Sequence, residues 1–246
     1  QSFIALGLSQ AARDRLNQLT SEPAKQTEQG AAALTELYSL SLSGLSARHE
    51  GALSGPQQVD LQLKAGDVLL LSGPSGCGKS TLLEVLAGEP LAYSGERLLN
   101  GKAYEHWQWR SVIGYLPQQL DIFDMTLAEN LRLGQPAATE QQLWAVLEDV
   151  ALADWARARP AQLNTTLGEY GAQVSGGQAR RIALARLLLA QRPLLLLDEP
   201  FAGLDAATRE QVLAALLRRQ ASGMLVIVSH QPLELEQAQR LQLTMN

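Results

Sequence analysis

The sequence predicts an α/β fold in which a mostly parallel sheet is flanked by helices and joined to a smaller antiparallel part. Apolar runs at residues 68–71, 193–197 and 225–228 are typical of parallel strands that are buried on both faces. Segments with helical periodicity separate these runs, as the crossovers between parallel strands require. Apolar and polar residues alternate within residues 40–63, which predicts half-buried antiparallel strands.

The composition excludes several classes of protein. Hydrophobic residues make up 46% and charged residues 18% of the 246 residues, a balance that supplies a folded core and excludes a disordered chain. The 25 acidic residues outnumber the 20 basic ones, which does not favour binding to nucleic-acid phosphates. Cys77 is the single cysteine, so no disulfide can form within the chain. No stretch of the sequence reaches the roughly 20 apolar residues that a membrane span requires.

The first 38 residues are predicted to form a segment of their own. Leu8, Ala12, Leu16 and Leu19 have helical spacing, and Pro23 ends the pattern. A polar stretch at residues 21–30 then resembles a linker. The helix is interpreted either as a frayed leading helix or as the tail of a preceding domain, and residues 39–246 are expected to form the main domain.

A glycine-rich loop is the strongest sign of chemistry in the sequence. It lies between a predicted strand and a predicted helix, and it fits the phosphate-binding pattern through Gly73, Gly78, Lys79 and Ser80. Backbone N–H groups and the helix N-terminus would surround an anion, Lys79 would reach the terminal phosphates, and the Ser80 hydroxyl would bind Mg²⁺. The candidate phosphate-binding residues are Gly73, Pro74, Ser75, Gly76, Cys77, Gly78, Lys79, Ser80 and Thr81.

Two further motifs carry candidate functional groups. The apolar strand at residues 193–197 ends in Asp198 and Glu199, at the sheet edge where ligands bind in open α/β folds. Because successive strand residues point to opposite faces, Asp198 is predicted to hold Mg²⁺ and Glu199 to act as a base toward water. At residues 175–178, two glycines precede a helix predicted over residues 179–190, so this segment is either a phosphate contact or a simple helix cap.

The order of these motifs resembles the ATP-binding cassette (ABC) family. The phosphate loop, Gln118, the segment at residues 175–178, the acidic pair, residues 203–205 and His230 follow the family's order over about residues 40–246. The resemblance implies a P-loop NTPase cassette with a RecA-like core, an antiparallel β subdomain and a helical subdomain at about residues 119–190. It also implies that ATP and Mg²⁺ are the cofactors and that the chain is an ATPase.

The resemblance implies catalytic and metal-binding roles for five residues. Gln118 matches a glutamine that senses Mg²⁺ and links the core to the helical subdomain. His230 matches a histidine that holds the terminal phosphate and the attacking water, and Glu199 is the implied base. The metal-binding residues are then Ser80, Gln118 and Asp198.

The resemblance also implies that a second ABC domain completes the site. Ser175, Gly176, Gly177 and Gln178 match the signature that contacts the nucleotide bound by the partner, with Val174 in place of the usual leucine before it. Asp205 matches a loop that crosses the dimer interface, which can join identical or different subunits. His49 aligns with the aromatic residue that stacks on adenine; a histidine can stack there, and an exposed loop histidine is the alternative.

Several details resemble the exporter branch of the family. Glu169 lies in a segment similar to the exporters' transmission loop, and residues 117–130 are similar to the segment that docks on intracellular loops. The leading helix then resembles the end of a transmembrane domain in the same polypeptide. Among exporters, the chain resembles those that move cysteine and glutathione during cytochrome bd assembly. The expected location is the cytoplasmic face of the inner membrane, and the C-terminal end of the domain is expected to be truncated.

Other functions fit the order of these motifs less well. A nucleotide kinase shares the phosphate loop but has no use for the signature or for His230. DNA-repair relatives insert long coiled coils between the phosphate loop and the signature, which are absent from the sequence between residues 81 and 175. The main alternative is a stand-alone ATPase subunit of an importer.

Overall fold

The computed structural model describes residues 31–244, so the predicted leading helix lies outside the described residues. Elements are numbered here within that part of the chain. The strands are β1 (Ser39–Ala47), β2 (Val59–Lys64), β3 (Val68–Ser72), β4 (Tyr93–Leu99), β5 (Lys102–Ala103), β6 (Ile113–Leu116), β7 (Leu194–Asp198), β8 (Met224–Val228) and β9 (Gln239–Gln242). The helices are α1 (Lys79–Ala87), α2 (Leu127–Arg132), α3 (Glu140–Asp149), α4 (Ala153–Arg157), α5 (Gly176–Ala190) and α6 (Ala206–Arg219).

The predicted parallel sheet is confirmed, with strand order β6-β7-β8-β3-β9 and parallel pairing throughout. Its central strands are buried on both faces because alternate side chains enter different cores. In β7, Leu195 and Leu197 pack with the helical part of the molecule, whereas Leu194 and Leu196 pack toward α1 and β1. This double burial explains the uninterrupted apolar run.

The alternating segment forms an antiparallel sheet, as predicted. The order is β2-β1-β4-β5, and each pair is antiparallel. Leu40, Leu42 and Leu45 of β1 are buried, and the sheet packs over α1 through a shared core. The pairing shifts register between Leu42 and Leu45, where Gly44 has a φ of 56°. The irregularity keeps Leu45 on the buried face.

Helices dominate residues 127–190, although the stretch between α4 and α5 contains short 3₁₀ turns at Gln162–Asn164 and Glu169–Gly171. Capping boxes begin α2 at Thr126 and α3 at Thr139. The apolar faces of α2 and α3 pack against α5. Within residues 31–244, no helix combines the length and the apolar composition that crossing a bilayer would require.

The parallel pairing places the candidate residues together. Parallel strands end at the same edge of a sheet, and β3, β6, β7 and β8 lead directly to the glycine-rich loop, Gln118, Asp198 and His230, respectively. The topology therefore gathers at one edge residues that lie more than a hundred positions apart in the sequence.

Candidate functional site

The glycine-rich loop is closed by Lys79 in the described structure. The Lys79 side chain is only 7% exposed, and its Nζ donates hydrogen bonds of 2.8 Å to the carbonyl oxygens of Gly73 and Pro74. No side chain caps the N-terminus of α1, so the positive end of the helix dipole faces the loop. The loop therefore presents a cation and a helix N-terminus, the two features that bind a phosphate.

The loop between β1 and β2 lies against the glycine-rich loop. Ser54 Oγ donates to the Gly76 carbonyl at 2.6 Å. Gly78 has a φ of 96°, and a Cβ there would lie 2.4 Å from Pro56 Cδ. Both the backbone conformation and the close contact therefore require glycine at the position that begins α1. The other loop residues differ in exposure, since Ser75 is exposed and Cys77 is buried in the core beneath the loop.

A cleft of about 570 Å³ lies beside α1 and brings together four of the predicted site residues. These residues are His49, Ser80, Gln118 and Asp198. Thr81, the next residue of α1, is 8% exposed. The cleft is therefore the place where the predicted metal-binding residues meet.

The Asp198 carboxylate is buried in this cleft without a hydrogen-bond partner. The residue is 1% exposed, and neither Oδ1 nor Oδ2 has a hydrogen-bond partner. A buried carboxylate without a partner is costly unless a cation or donor completes its surroundings. Mg²⁺ fits this site, because it binds through one or two protein oxygens and keeps phosphate and water ligands. The described residues contain no cluster of three or more His, Cys, Asp or Glu side chains that could hold a metal by themselves.

Glu199 differs from its neighbour through the backbone. The strand ends at Asp198, and Glu199 has a φ of 52°, so strand alternation is not what separates the two side chains. This left-handed conformation is rare and strained for a non-glycine residue. It directs Glu199 Oε1, which is buried without a hydrogen-bond partner, to 3.5 Å from Nε2 of His230. The predicted base and the predicted histidine are therefore adjacent.

The predicted signature begins α5, which starts at Gly176 rather than at residue 179. Ser175 and Gln178 form a capping box, in which Gln178 N donates to Ser175 Oγ at 3.3 Å and Ser175 N donates to Gln178 Oε1 at 2.9 Å. A Cβ built on Gly176 or Gly177 would meet nothing within 4 Å. The chain's own packing therefore gives no reason for these glycines.

Asp205 and Glu169 lie outside the cleft. Asp205 caps α6, accepting hydrogen bonds from Thr208 N at 3.0 Å and Thr208 Oγ1 at 2.7 Å. These bonds lower the pKa of the Asp205 carboxyl. Glu169 begins the 3₁₀ turn that precedes α5.

His49 lies at the rim of the cleft and has a partner within the chain. Its side chain is 53% exposed, and Nε2 lies 2.6 Å from Glu84 Oε2 on α1. This contact directs the ring toward α1. The predicted stacking on adenine stays a prediction.

The structure adds two residues that the motifs did not reveal. Tyr115 of β6 lines the cleft, where burial and then the charges of Glu84 and Asp198 raise its pKa. Arg180 of α5 donates to the carbonyl oxygens of Asp198 and Gln118, each at 2.9 Å. A backbone carbonyl has no sequence signal, so pattern analysis could not have found the contacts of Arg180.

Known proteins are similar to this chain in sequence. A family model described as ABC transporter matches residues 56–202. The glutathione/L-cysteine transport system ATP-binding/permease protein CydC of Escherichia coli is 39% identical over 175 residues, covering 70% of this chain and 30% of that protein. CydD of the same organism is 33% identical over 227 residues, covering 89% and 38%. A multidrug resistance ABC transporter ATP-binding and permease protein of Lactococcus lactis is 33% identical over 239 residues, covering 93% and 39%.

A solved structure is also similar. The structure of a bacterial Atm1-family ABC exporter with ATP bound aligns with a TM-score of 0.75 and 26% identity, covering 82% of this chain and 36% of that one. The chain thus spans about a third of the length of the proteins it resembles. Together these similarities confirm the resemblance drawn from the motifs and the P-loop NTPase cassette fold that it implied.

Proposed function

Because the chain belongs to the ABC transporter family, we propose that it is the ATP-binding and ATP-hydrolysing domain of an ABC exporter. One observation carries the proposal: the buried Asp198 carboxylate lacks a partner and lines the same cleft as Ser80, next to the phosphate loop that Lys79 closes. A metal–nucleotide complex would satisfy the carboxylate, the hydroxyl and the lysine together.

Nucleotide binding would use the phosphate loop on one side of the site and the proposed Mg²⁺ ligands on the other. Lys79 exchanges its loop carbonyls for the β- and γ-phosphates, and the N–H groups at the start of α1 surround them. Ser80 and Asp198 would hold Mg²⁺, with Gln118 lining the same cleft. When bound, Mg²⁺ neutralises phosphate charge as the transferred group departs.

Glu199 and His230 have distinct roles in the proposed hydrolysis. Glu199 accepts a proton from water while the water oxygen bonds to the γ-phosphorus and the bond to the ADP oxygen breaks, which yields ADP and phosphate. The left-handed backbone at Glu199 places its carboxylate beside His230, which orients the water and the γ-phosphate. Most of the rate enhancement then comes from positioning and charge.

A second ABC domain would complete the site. The open space around Gly176 and Gly177 suits close approach by a phosphate from outside the chain, and the positive N-terminal end of the α5 dipole favours negative charge. Asp205 keeps the loop before α6 in place through its cap. The partner is a second copy or a related chain, and nucleotide would be held between the two.

A transmembrane domain is the second proposed partner. The relatives are named ATP-binding/permease proteins, which favours a domain in the same polypeptide, preceding residues 1–38, over a stand-alone importer subunit. A groove of about 440 Å³ after β6 is lined by Leu120, Phe123 and Leu133, and Leu133 is 37% exposed. This groove would accept an intracellular segment of that domain at the cytoplasmic face of the inner membrane.

The transported substrate is proposed from the named relatives alone. Two of them belong to a glutathione/L-cysteine transport system, so we propose export of cysteine or glutathione, as in cytochrome bd assembly. Another relative is a multidrug resistance transporter, so export of drugs is the alternative. ATP-driven uptake into inverted membrane vesicles, measured for cysteine, for glutathione and for a drug, would separate the two substrate classes.

Glu199→Gln tests the enzymatic proposal. The amide keeps the size of the side chain and removes its basicity, so ATP binding should persist while hydrolysis falls by roughly 10²–10⁴-fold. Release of phosphate from Mg-ATP, without any phosphate acceptor, would be measured alongside nucleotide affinity in the presence of the partner domain. Hydrolysis at the parent rate would exclude Glu199 as the base, and dependence on an acceptor would indicate a kinase.

A further inference from the structure

Arg180 joins three parts of the candidate site through one guanidinium group. Its Nη1 donates to the Asp198 carbonyl and its Nη2 to the Gln118 carbonyl, each at 2.9 Å. The two carbonyls lie 80 residues apart in the sequence (198 − 118), at the ends of the neighbouring strands β6 and β7. Arg180 itself lies on α5, within two turns of the helix cap at Ser175.

The geometry suits arginine and no other side chain. The guanidinium is planar and presents its donors in a fixed fork, so it can bind two acceptors whose spacing is set. Lysine carries the same charge but a single ammonium on a flexible stem. The group is half-buried, and burial lowers its pKa, although the nearby charges of Asp198 and Glu199 oppose that effect. The retained charge strengthens both hydrogen bonds.

The two acceptors are backbone groups of residues whose side chains line the metal cleft. A displaced carbonyl moves the side chain on the same residue, so loss of either bond would alter the positions of the Gln118 amide or the Asp198 carboxylate. Partners that orient metal ligands in this way typically change metal affinity by about 10–100-fold when removed.

We propose that Arg180 is a positioning residue that holds Gln118 and Asp198 in the arrangement needed for Mg²⁺ and fixes both relative to the signature end of α5. The inference rests on the proposed function, because it assumes that the cleft binds a metal–nucleotide complex. It assigns Arg180 no contact with nucleotide or metal.

The chain offers a matched control on the same helix. Arg181 is also a half-buried arginine of α5, and it donates to the Ala151 carbonyl at 2.6 Å and the Gly177 carbonyl at 3.3 Å. Neither acceptor lies in the metal cleft. Arg181→Gln therefore removes the same charge from the same helix without releasing Gln118 or Asp198.

The experiment measures the binding of a fluorescent ATP analogue to the full 246-residue chain over a range of Mg²⁺ concentrations and in EDTA. In Arg180→Gln, the Mg²⁺ concentration that gives half of the metal-dependent gain in affinity should rise by about 10–100-fold. Affinity in EDTA should stay within about twofold of the parent, because Lys79 and the phosphate loop are unchanged. Arg180→Lys should give an intermediate shift, and Arg181→Gln should give none.

Each other outcome counts against the proposal. A parent-like Mg²⁺ midpoint in Arg180→Gln would overturn it, as would an equal shift in Arg181→Gln. Failure of both Arg180 variants to fold would show that the two bonds hold the fold rather than the metal site. A parent chain whose nucleotide binding does not respond to Mg²⁺ would instead reject the proposed function, and the inference with it.

Discussion

Lys79→Ala tests the phosphate loop with an effect that can be worked out from the structure. Without nucleotide, Nζ makes two hydrogen bonds to the carbonyls of Gly73 and Pro74. Gly73 is partly exposed and Pro74 is exposed, so water can replace the lysine at these oxygens. The free energy of unfolding should then fall by no more than about 3–6 kcal/mol, at 1.5–3 kcal/mol for each hydrogen bond to a charged group.

ATP binding should weaken as well. Truncating one member of a buried charge pair costs about 2–5 kcal/mol, which corresponds to a rise in Kd of roughly 30- to 5,000-fold. ATP at 100 times the parent Kd should stabilise the parent by about 2.7 kcal/mol. For a chain of this size, that stabilisation raises the Tm by roughly 5–11 °C. At the same ATP concentration, Lys79→Ala should be stabilised by about 0.9 kcal/mol at most, so its shift should be no more than about a third of the parent's.

Thermal melts with and without Mg-ATP, together with a direct nucleotide titration, measure both effects. Lys64→Ala is the matched control, because Lys64 is exposed on β2 and its loss changes the net charge equally. The control should retain the full ATP-dependent shift. A folded Lys79→Ala variant that binds ATP with the parent's affinity would refute the placement of phosphates at this loop.

Three other substitutions test separate features. Gly177→Ala should leave the free energy of unfolding in denaturant unchanged or raise it by up to about 1 kcal/mol, because the new methyl group meets nothing within 4 Å. The same substitution should weaken ATP-dependent association with the partner domain. Unchanged association would contradict the signature's proposed role. Asn130→Ala removes a fully buried amide that bonds Phe123, Met125 and Thr126, so urea unfolding should show a loss of at least about 3 kcal/mol, and a loss under about 1 kcal/mol would contradict this. Asp205→Ala should destabilise the chain above pH 4, because the fold lowers the pKa of the Asp205 carboxyl from 3.8 and so favours its charged form. This stabilisation is lost as the pH falls through the lowered pKa, so the difference in stability between variant and parent should shrink in acid. A difference that does not change with pH would show that the charge of Asp205 is not involved.

The strands that could be predicted are those whose burial repeats a simple pattern. β3, β7 and β8 are continuous apolar runs because both faces of the central sheet are covered. β4 and β9 lacked such a signal. β4 is largely exposed along its length and is held by pairing with β1. β9 consists of Gln, Arg, Leu and Gln and exists because β3 offers a free edge, so its neighbours rather than its side chains determine it.

In the candidate site, too, some features could be predicted from the sequence and others could not. Residues whose own side chains are the proposed functional groups, such as Lys79 and Asp198, were identified from motif and spacing. Their exposure and partners were not. Glu199 illustrates the difference, because its position after a strand predicted alternation, whereas the structure separates it from Asp198 through a left-handed backbone. His49 shows the same limit, since its pairing with Glu84 depends on how the β1–β2 loop meets α1.

The arginines of α5 give a physical reason for this limit and a consequence for the mechanism. Arg180 and Arg186 both donate to backbone carbonyls of distant segments: Arg180 to Asp198 and Gln118, and Arg186 to Asp121 and Asn130. Burial lowers the pKa of Arg186 to about 10, yet its bonds hold the segment after Gln118 to α2. A helix of 15 residues is about 22 Å long, so α5 runs from its capped N-terminus past the carbonyls of Asp198 and Gln118 to the groove beside Leu133. The bonds of Arg180 and Arg186 therefore join Gln118 and the groove beside Leu133 to the same helix.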